Sequence, residues 1–248
     1  MSLFSFVLGL ADDALILGHR LSEWSGKAPM LEEDIALSNL GLDLIGQARL
    51  YYQYAAEIEG KGRSEDDLAY LRDEHAYTNL LLVEQQNGDF AVTMVRQLLY
   101  AAFAHPYLQA MQGSRDQRLA DIAAKAVKEM AYHVRHASEW VIRLGDGTQE
   151  SHARAQIAFD DLWMYTGEMF HVSDDERALI AEGIAADRAA IKPAWDLTLN
   201  RVLREATLQR PKDGWMQTGG RTRQHTEHLG RLLAEMQVIH RAHPGVTW

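Results

Sequence analysis

From Leu31 to Glu59 the chain carries apolar residues at three- and four-residue spacing, with no proline, between Pro29 on one side and Gly60-Lys61-Gly62 on the other. At ~1.5 Å per residue this predicts one helix of ~43 Å, a length that belongs to large bundles rather than to compact α/β domains. The same period recurs almost everywhere else, and no run of alternating β-branched residues is bounded by turns. The fold class is therefore all-α. No linker, repeat or low-complexity tract divides the 248 residues, so a single helical domain over 1–248 is expected.

Composition removes several functions. The absence of cysteine excludes a disulfide framework, thiolate metal sites and a cysteine nucleophile. A net charge of −10 without any basic run argues against nucleic acid and anionic membranes as partners. Met1 to Ala11 is apolar but lacks a basic start and is cut short by Asp12-Asp13, so it does not read as a secretory signal. Gln97 to Ser114, the longest stretch free of formal charge, holds His105, Pro106 and several Gln and makes a poor membrane span. A cytoplasmic location is expected.

Caps and breakers divide the rest. A first helix is expected over about Ser5–Trp24, and a third from Ser64, its capping residue, to Asn87-Gly88. Asp89 caps a fourth to about Gln112, which Pro106 should kink. Asp116 opens a fifth through Leu144, and a sixth runs from about Thr148 to Phe170. Ser173 with Glu176 reads as a capping box for a short helix to Glu182. Another spans about Asp187–Leu208 with a kink or restart near Pro193, and a last one about Thr222–Ala242. Gln209 to Arg221 is the longest irregular stretch, of the kind that is functional or interfacial.

Several of these helices carry polar stripes. They are Asn39, Asp43 and Gln47 in the second; Tyr70, Glu74 and Tyr77 in the third; Lys125, Glu129, His133 and His136 in the fifth; and Asp161, Tyr165, Glu168 and His171 in the sixth. Carboxylates and imidazoles converging from four long helices are what a di-iron carboxylate bundle needs, with a Glu-x-x-His pair from each of two helices. Measured against that template the set Asp43, Glu74, Glu129, His133, Glu168 and His171 is incomplete. Only Glu168 and His171 have the required spacing; Tyr77 and Met130 stand where an imidazole and a carboxylate should be. Glu129 with His133 also reads as an ordinary helix pair. His225 and His228 could meet a divalent metal but lack a nameable third ligand, and a cap and salt-bridge cluster with Arg221 and Arg223 is the plainer account. No phosphate-cradling glycine loop occurs.

The runs Arg20-Leu21-Ser22-Glu23-Trp24, Leu40-Gly41-Leu42-Asp43-Leu44-Ile45-Gly46-Gln47-Ala48-Arg49, Asn79-Leu80-Leu81-Leu82-Val83-Glu84-Gln85 and Arg143-Leu144-Gly145-Asp146-Gly147-Thr148 resemble the C-subunit family of the bacterial ring-1,2-phenylacetyl-CoA epoxidases. Gly219-Gly220, His225-Thr226-Glu227-His228-Leu229-Gly230 and Leu233-Ala234-Glu235-Met236-Gln237 extend the likeness to the end of the chain. The resemblance implies a ferritin-like long-helix bundle with additional C-terminal helices, paired with a homologous catalytic A subunit. That A subunit holds the di-iron centre and binds the coenzyme A thioester; the C subunit is a structural partner with no metal or catalytic residue of its own. The complex, with further subunits including a reductase, epoxidises the ring of phenylacetyl-CoA with one oxygen atom of O₂. Self-association of the isolated chain stays open. So does an autonomous di-iron oxygenase using the six positions above. The basic residues Arg201, Arg204, Arg210, Lys212, Arg221 and Arg223 flank the irregular stretch, and ordinary surface charge accounts for them without an anionic ligand.

Overall fold

The computed structural model describes residues 2–246 and contains no strand among them. In chain order the helices are α1 (Leu3–Ser22), α2 (Leu31–Glu59), α3 (Glu65–Tyr70), α4 (Leu81–Glu84), α5 (Phe90–Met111), α6 (Gln117–Gly145), α7 (Gln149–Leu162), α8 (Asp174–Ala181), α9 (Lys192–Glu205), α10 (Glu227–Met236) and α11 (Val238–Ala242). The all-α class expected from the sequence holds. No helix among the described residues is long and apolar enough to cross a membrane. Trp248 lies outside the described residues.

The chain forms two compact units, one of residues 1–86 with 219–248 and one of 87–218. In the first, α1 and α2 make the principal pair. α1 is buried almost all round from Phe6 to Gly18, so it is the hydrophobic centre of its unit and not an amphipathic surface helix. The two helices approach closely at Gly18 and Gly41, where an added Cβ on either would stand 3.2 Å from the other's carbonyl oxygen. α2 has the bounds its spacing predicts and ends on Gly60 in the left-handed conformation.

In the second unit α5 pairs with α6, and α7 and α9 pack on α5. Asp89 and Asp116 cap α5 and α6 as expected, accepting from the amides of Val92 and Leu119. α5 continues through Pro106. The Trp195 indole donates to the Leu99 carbonyl at 2.9 Å, inside a cluster with Trp163, Phe170 and Phe103.

Four expected elements are corrected. The third helix is not continuous: after α3 the chain makes a 3₁₀ turn at Glu74–Ala76, runs extended at Tyr77, and gives only the single turn α4. The amides of Thr78 and Leu80 are taken by the carboxylates of Asp12 and Asp13 instead of by carbonyls four residues back, which breaks the helix. The sixth helix stops at Leu162 and continues as 3₁₀ turns, Trp163–Tyr165 and Gly167–Phe170. There Thr166 Oγ1 donates to the Trp163 carbonyl, and Met216 occupies the space that a side chain at Gly167 would need. Only half of the box at Ser173 forms, because Glu176 turns to Arg188 at 2.6 Å. The last helix begins at Glu227, since Gly219 and Arg223 hold positive φ and end any helix across them. α9 starts at Lys192 instead of Asp187, with Pro193 in its first turn and behind a 3₁₀ turn at Ala189–Ile191, which is the restart expected near Pro193.

Candidate functional site

The polar centre of the first unit grows from two adjacent acids on a helix that is otherwise apolar. Neighbouring helical residues project about 100° apart, so Asp12 and Asp13 reach different partners, although both take backbone amides of the segment 78–80. Asp12, fully buried, accepts from the Arg72 guanidinium, from the Tyr52 hydroxyl at 2.7 Å and from the Thr78 amide at 2.8 Å. Asp13 accepts from the Leu80 amide at 2.7 Å and pairs with Arg221, whose other nitrogen donates to the carbonyls of Gly9 and Thr78.

Arg72 sits between two rings, 4.1 Å from the Tyr77 centroid and 5.5 Å from that of Tyr52. Burial works against its charge, but Asp12 more than offsets this and holds the guanidinium above its already high pKa. Burial, and after it the Asp12 charge, raises the Tyr52 hydroxyl well above the usual phenol range. Tyr52 and Tyr77 are neutral donors here. Removing one member of such a pair and leaving the other buried costs ~3–5 kcal/mol.

A second knot closes beside the first. Glu84, fully buried, accepts from Asn79 Nδ2, from His225 Nδ1 (both 2.8 Å), and from the amide and hydroxyl of Thr226 at 2.6 and 2.8 Å. His225 Nε2 faces the Tyr77 carbonyl at 2.9 Å. Both ring nitrogens meet oxygen acceptors, so both carry protons and His225 is an imidazolium. Burial opposes that charge, yet the bond to Glu84 and its negative charge prevail, and the pKa is raised. Arg20 completes the knot by donating to the carbonyls of Glu84 and His228. Most of the donors and acceptors of the two knots are spent on holding residues 72–84 and 219–228 against α1; the buried Asn79 Oδ1 is the exception, with no hydrogen-bond partner among the described residues.

The six candidate metal positions do not fit a di-iron group. Asp43 and Glu74 lie in the first unit, half-buried, and Glu74 is on a 3₁₀ turn instead of the expected helix. In the second unit Glu129 pairs with Lys125 at 3.8 Å, and His133 Nδ1 lies 2.9 Å from Gln97 Nε2. Glu168 is only 3% exposed whereas His171 faces solvent, because the chain leaves its 3₁₀ turn in an extended conformation at His171. The i, i+3 relation that would bring both to one ion exists in a continuous helix, and the helix has already ended. Among the described residues no three His, Asp or Glu side chains gather as one ion requires.

His225 and His228 likewise do not share a site on one helix, since His225 precedes α10 and is spent on Glu84. Of the basic residues along the irregular stretch, Arg201 pairs with Glu205, Arg210 with Asp196, and Arg221 with Asp13. The residues that organise the centre, Asp12, Asp13, Arg72, Glu84 and His225, were not picked out as a group by spacing. The available signal was a pair of acids inside a helix apolar on every other face.

Across its whole length, residues 1–248, the chain matches the family model described as phenylacetic acid catabolic protein. It belongs to that family. A relative from Escherichia coli (strain K12), the C subunit of 1,2-phenylacetyl-CoA epoxidase, is 47% identical over 246 residues, which cover 99% of each chain. The ferritin-like helical class implied by the resemblance is the class of this family. The two buried knots and the dispersed carboxylates are thus features of a family member that matches one epoxidase component along nearly all of its length.

Proposed function

We propose that this chain is the structural C subunit of a ring-1,2-phenylacetyl-CoA epoxidase in aerobic phenylacetate catabolism. In this reading it pairs with a homologous A subunit, which holds the di-iron centre and the coenzyme A thioester, while a reductase and other subunits complete the cytoplasmic complex. The observation that carries it is the likeness to the Escherichia coli C subunit along 99% of both chains, in a protein whose candidate ligands are scattered or already engaged. Mechanistically, a folded surface that binds only the folded partner stabilises that partner by linkage, and an interface keeps water from a site that this chain does not own.

Two measurements test this. The purified chain should carry far less than one iron per molecule. Glu168→Gln and His171→Ala should leave epoxidation by the reconstituted complex within about twofold of the parent. Two irons per chain, with a ligand-to-metal absorption band lost in Glu168→Gln, would instead establish the autonomous di-iron oxygenase.

A further inference from the structure

The 3₁₀ turn Glu74–Ala76 and the helices α10 and α11 enclose an open cleft of about 600 Å³. Its polar groups are accounted for, with one exception. Arg241 donates to Gln237 Oε1 (2.9 Å), to the Arg72 carbonyl (3.0 Å) and to Asp73 (3.0 Å), and Gln237 donates to the Arg72 carbonyl and the Tyr77 hydroxyl. Asp73 and Arg241 therefore neutralise each other at the rim. Glu74 differs: its half-buried carboxylate meets no hydrogen-bond donor and no cation among the described residues.

The backbone makes room for that carboxylate. A Cβ on Gly230 would stand 2.7 Å from Glu74 Oε2, so the glycine leaves the acid room to lie against α10, and a side chain there would make the carboxylate shift. Leu233 and Val238 supply apolar walls, and Val238 is 56% exposed at the mouth. An alkyl stem along Leu233 and Val238 with a cation at Glu74 would match these apolar walls and answer the carboxylate.

We infer that this cleft receives a lysine or arginine side chain from a protein bound to this chain. An open cleft with one uncompensated carboxylate holds a free amine poorly, because water screens the pair; an interface that covers the cleft removes the water. Charge complementarity fits, since the chain carries −10 overall and the unanswered charge in the cleft, among the described residues, is negative. The inference rests on the subunit reading above, which supplies the partner.

The test is the dissociation constant of the full-length chain with the catalytic A subunit, at low and at physiological ionic strength, for the parent, Glu74→Gln, Glu74→Lys and Val238→Lys. Expected are weakening by about tenfold for Glu74→Gln and Val238→Lys, by about a hundredfold for Glu74→Lys, and a smaller salt dependence for Glu74→Gln than for the parent. Glu74 makes no internal bond among the described residues and Val238 is exposed, so unchanged circular dichroism is expected in all variants. Parent-like binding by all three variants overturns the inference. So does a Glu74→Lys variant that breaks self-association of the isolated chain while leaving the A subunit bound, which would make a second copy the occupant. If the parent itself does not bind the A subunit, the subunit reading fails, and this inference falls with it.

Discussion

His225 shows how one residue's protonation is tied to two segments of chain. Its imidazolium bridges the Glu84 carboxylate and the Tyr77 carbonyl, and its pKa is raised above the ordinary value near 6.5. The folded state therefore binds this proton more tightly than the unfolded state. The stabilisation is complete below about pH 6.5 and is lost as pH rises through the raised pKa. Melting temperatures of the parent and of His225→Gln should lie furthest apart near pH 6 and converge at alkaline pH; a gap that widens with pH would contradict the charged bridge. Asp12 and Arg72 were visible in the sequence only as an interruption of an apolar stretch and as part of a charged run. Their burial follows from three-dimensional proximity that no spacing rule encodes.

At the scale of elements, glycine separates packing from propensity. Gly46 lies inside α2 with no atom near its would-be side chain, so Gly46→Ala should stabilise by ~0.5–1 kcal/mol through helix propensity alone. Gly145, the last residue of α6, would place a Cβ 2.3 Å from the Ala206 carbonyl oxygen. Gly145→Ala should therefore destabilise by ~1–3 kcal/mol despite the same propensity gain. Urea unfolding of both variants checks the opposite signs. The long helices were legible because caps and apolar period agree: α2 has its expected bounds, and Asp89 and Asp116 cap as read. The elements that failed, Ser64–Gly88 and the end of Thr148–Phe170, are those in which side chains from elsewhere in the fold claim backbone groups or fill the space beside them.

For the whole molecule, the first unit is closed by the C-terminal segment. A chain ending at Thr218 loses Arg221 from Asp13 and His225 and Thr226 from Glu84. Buried carboxylates deprived of their cations are costly, so this truncation should abolish cooperative unfolding of residues 1–86, read by hydrogen exchange at the amides of α1. Protection of α1 equal to that in the full chain would show that the knots are dispensable. A boundary between units that draws on both ends of the chain leaves no mark as a linker, which is why none is found in the sequence.

By itself, the sequence determined the all-α class, the long helices and most of their caps, the exclusion of thiol chemistry and the family likeness. These depend on local period, on short-range hydrogen bonds and on composition, all of which are written along the chain. Only the tertiary structure decided that Asp12 and Asp13 break the third helix, that Glu168 and His171 part company, and that Glu74 is left with an unanswered charge. Each of these outcomes depends on which distant groups compete for one buried hydrogen bond or one small volume, and that competition exists only once the helices are packed.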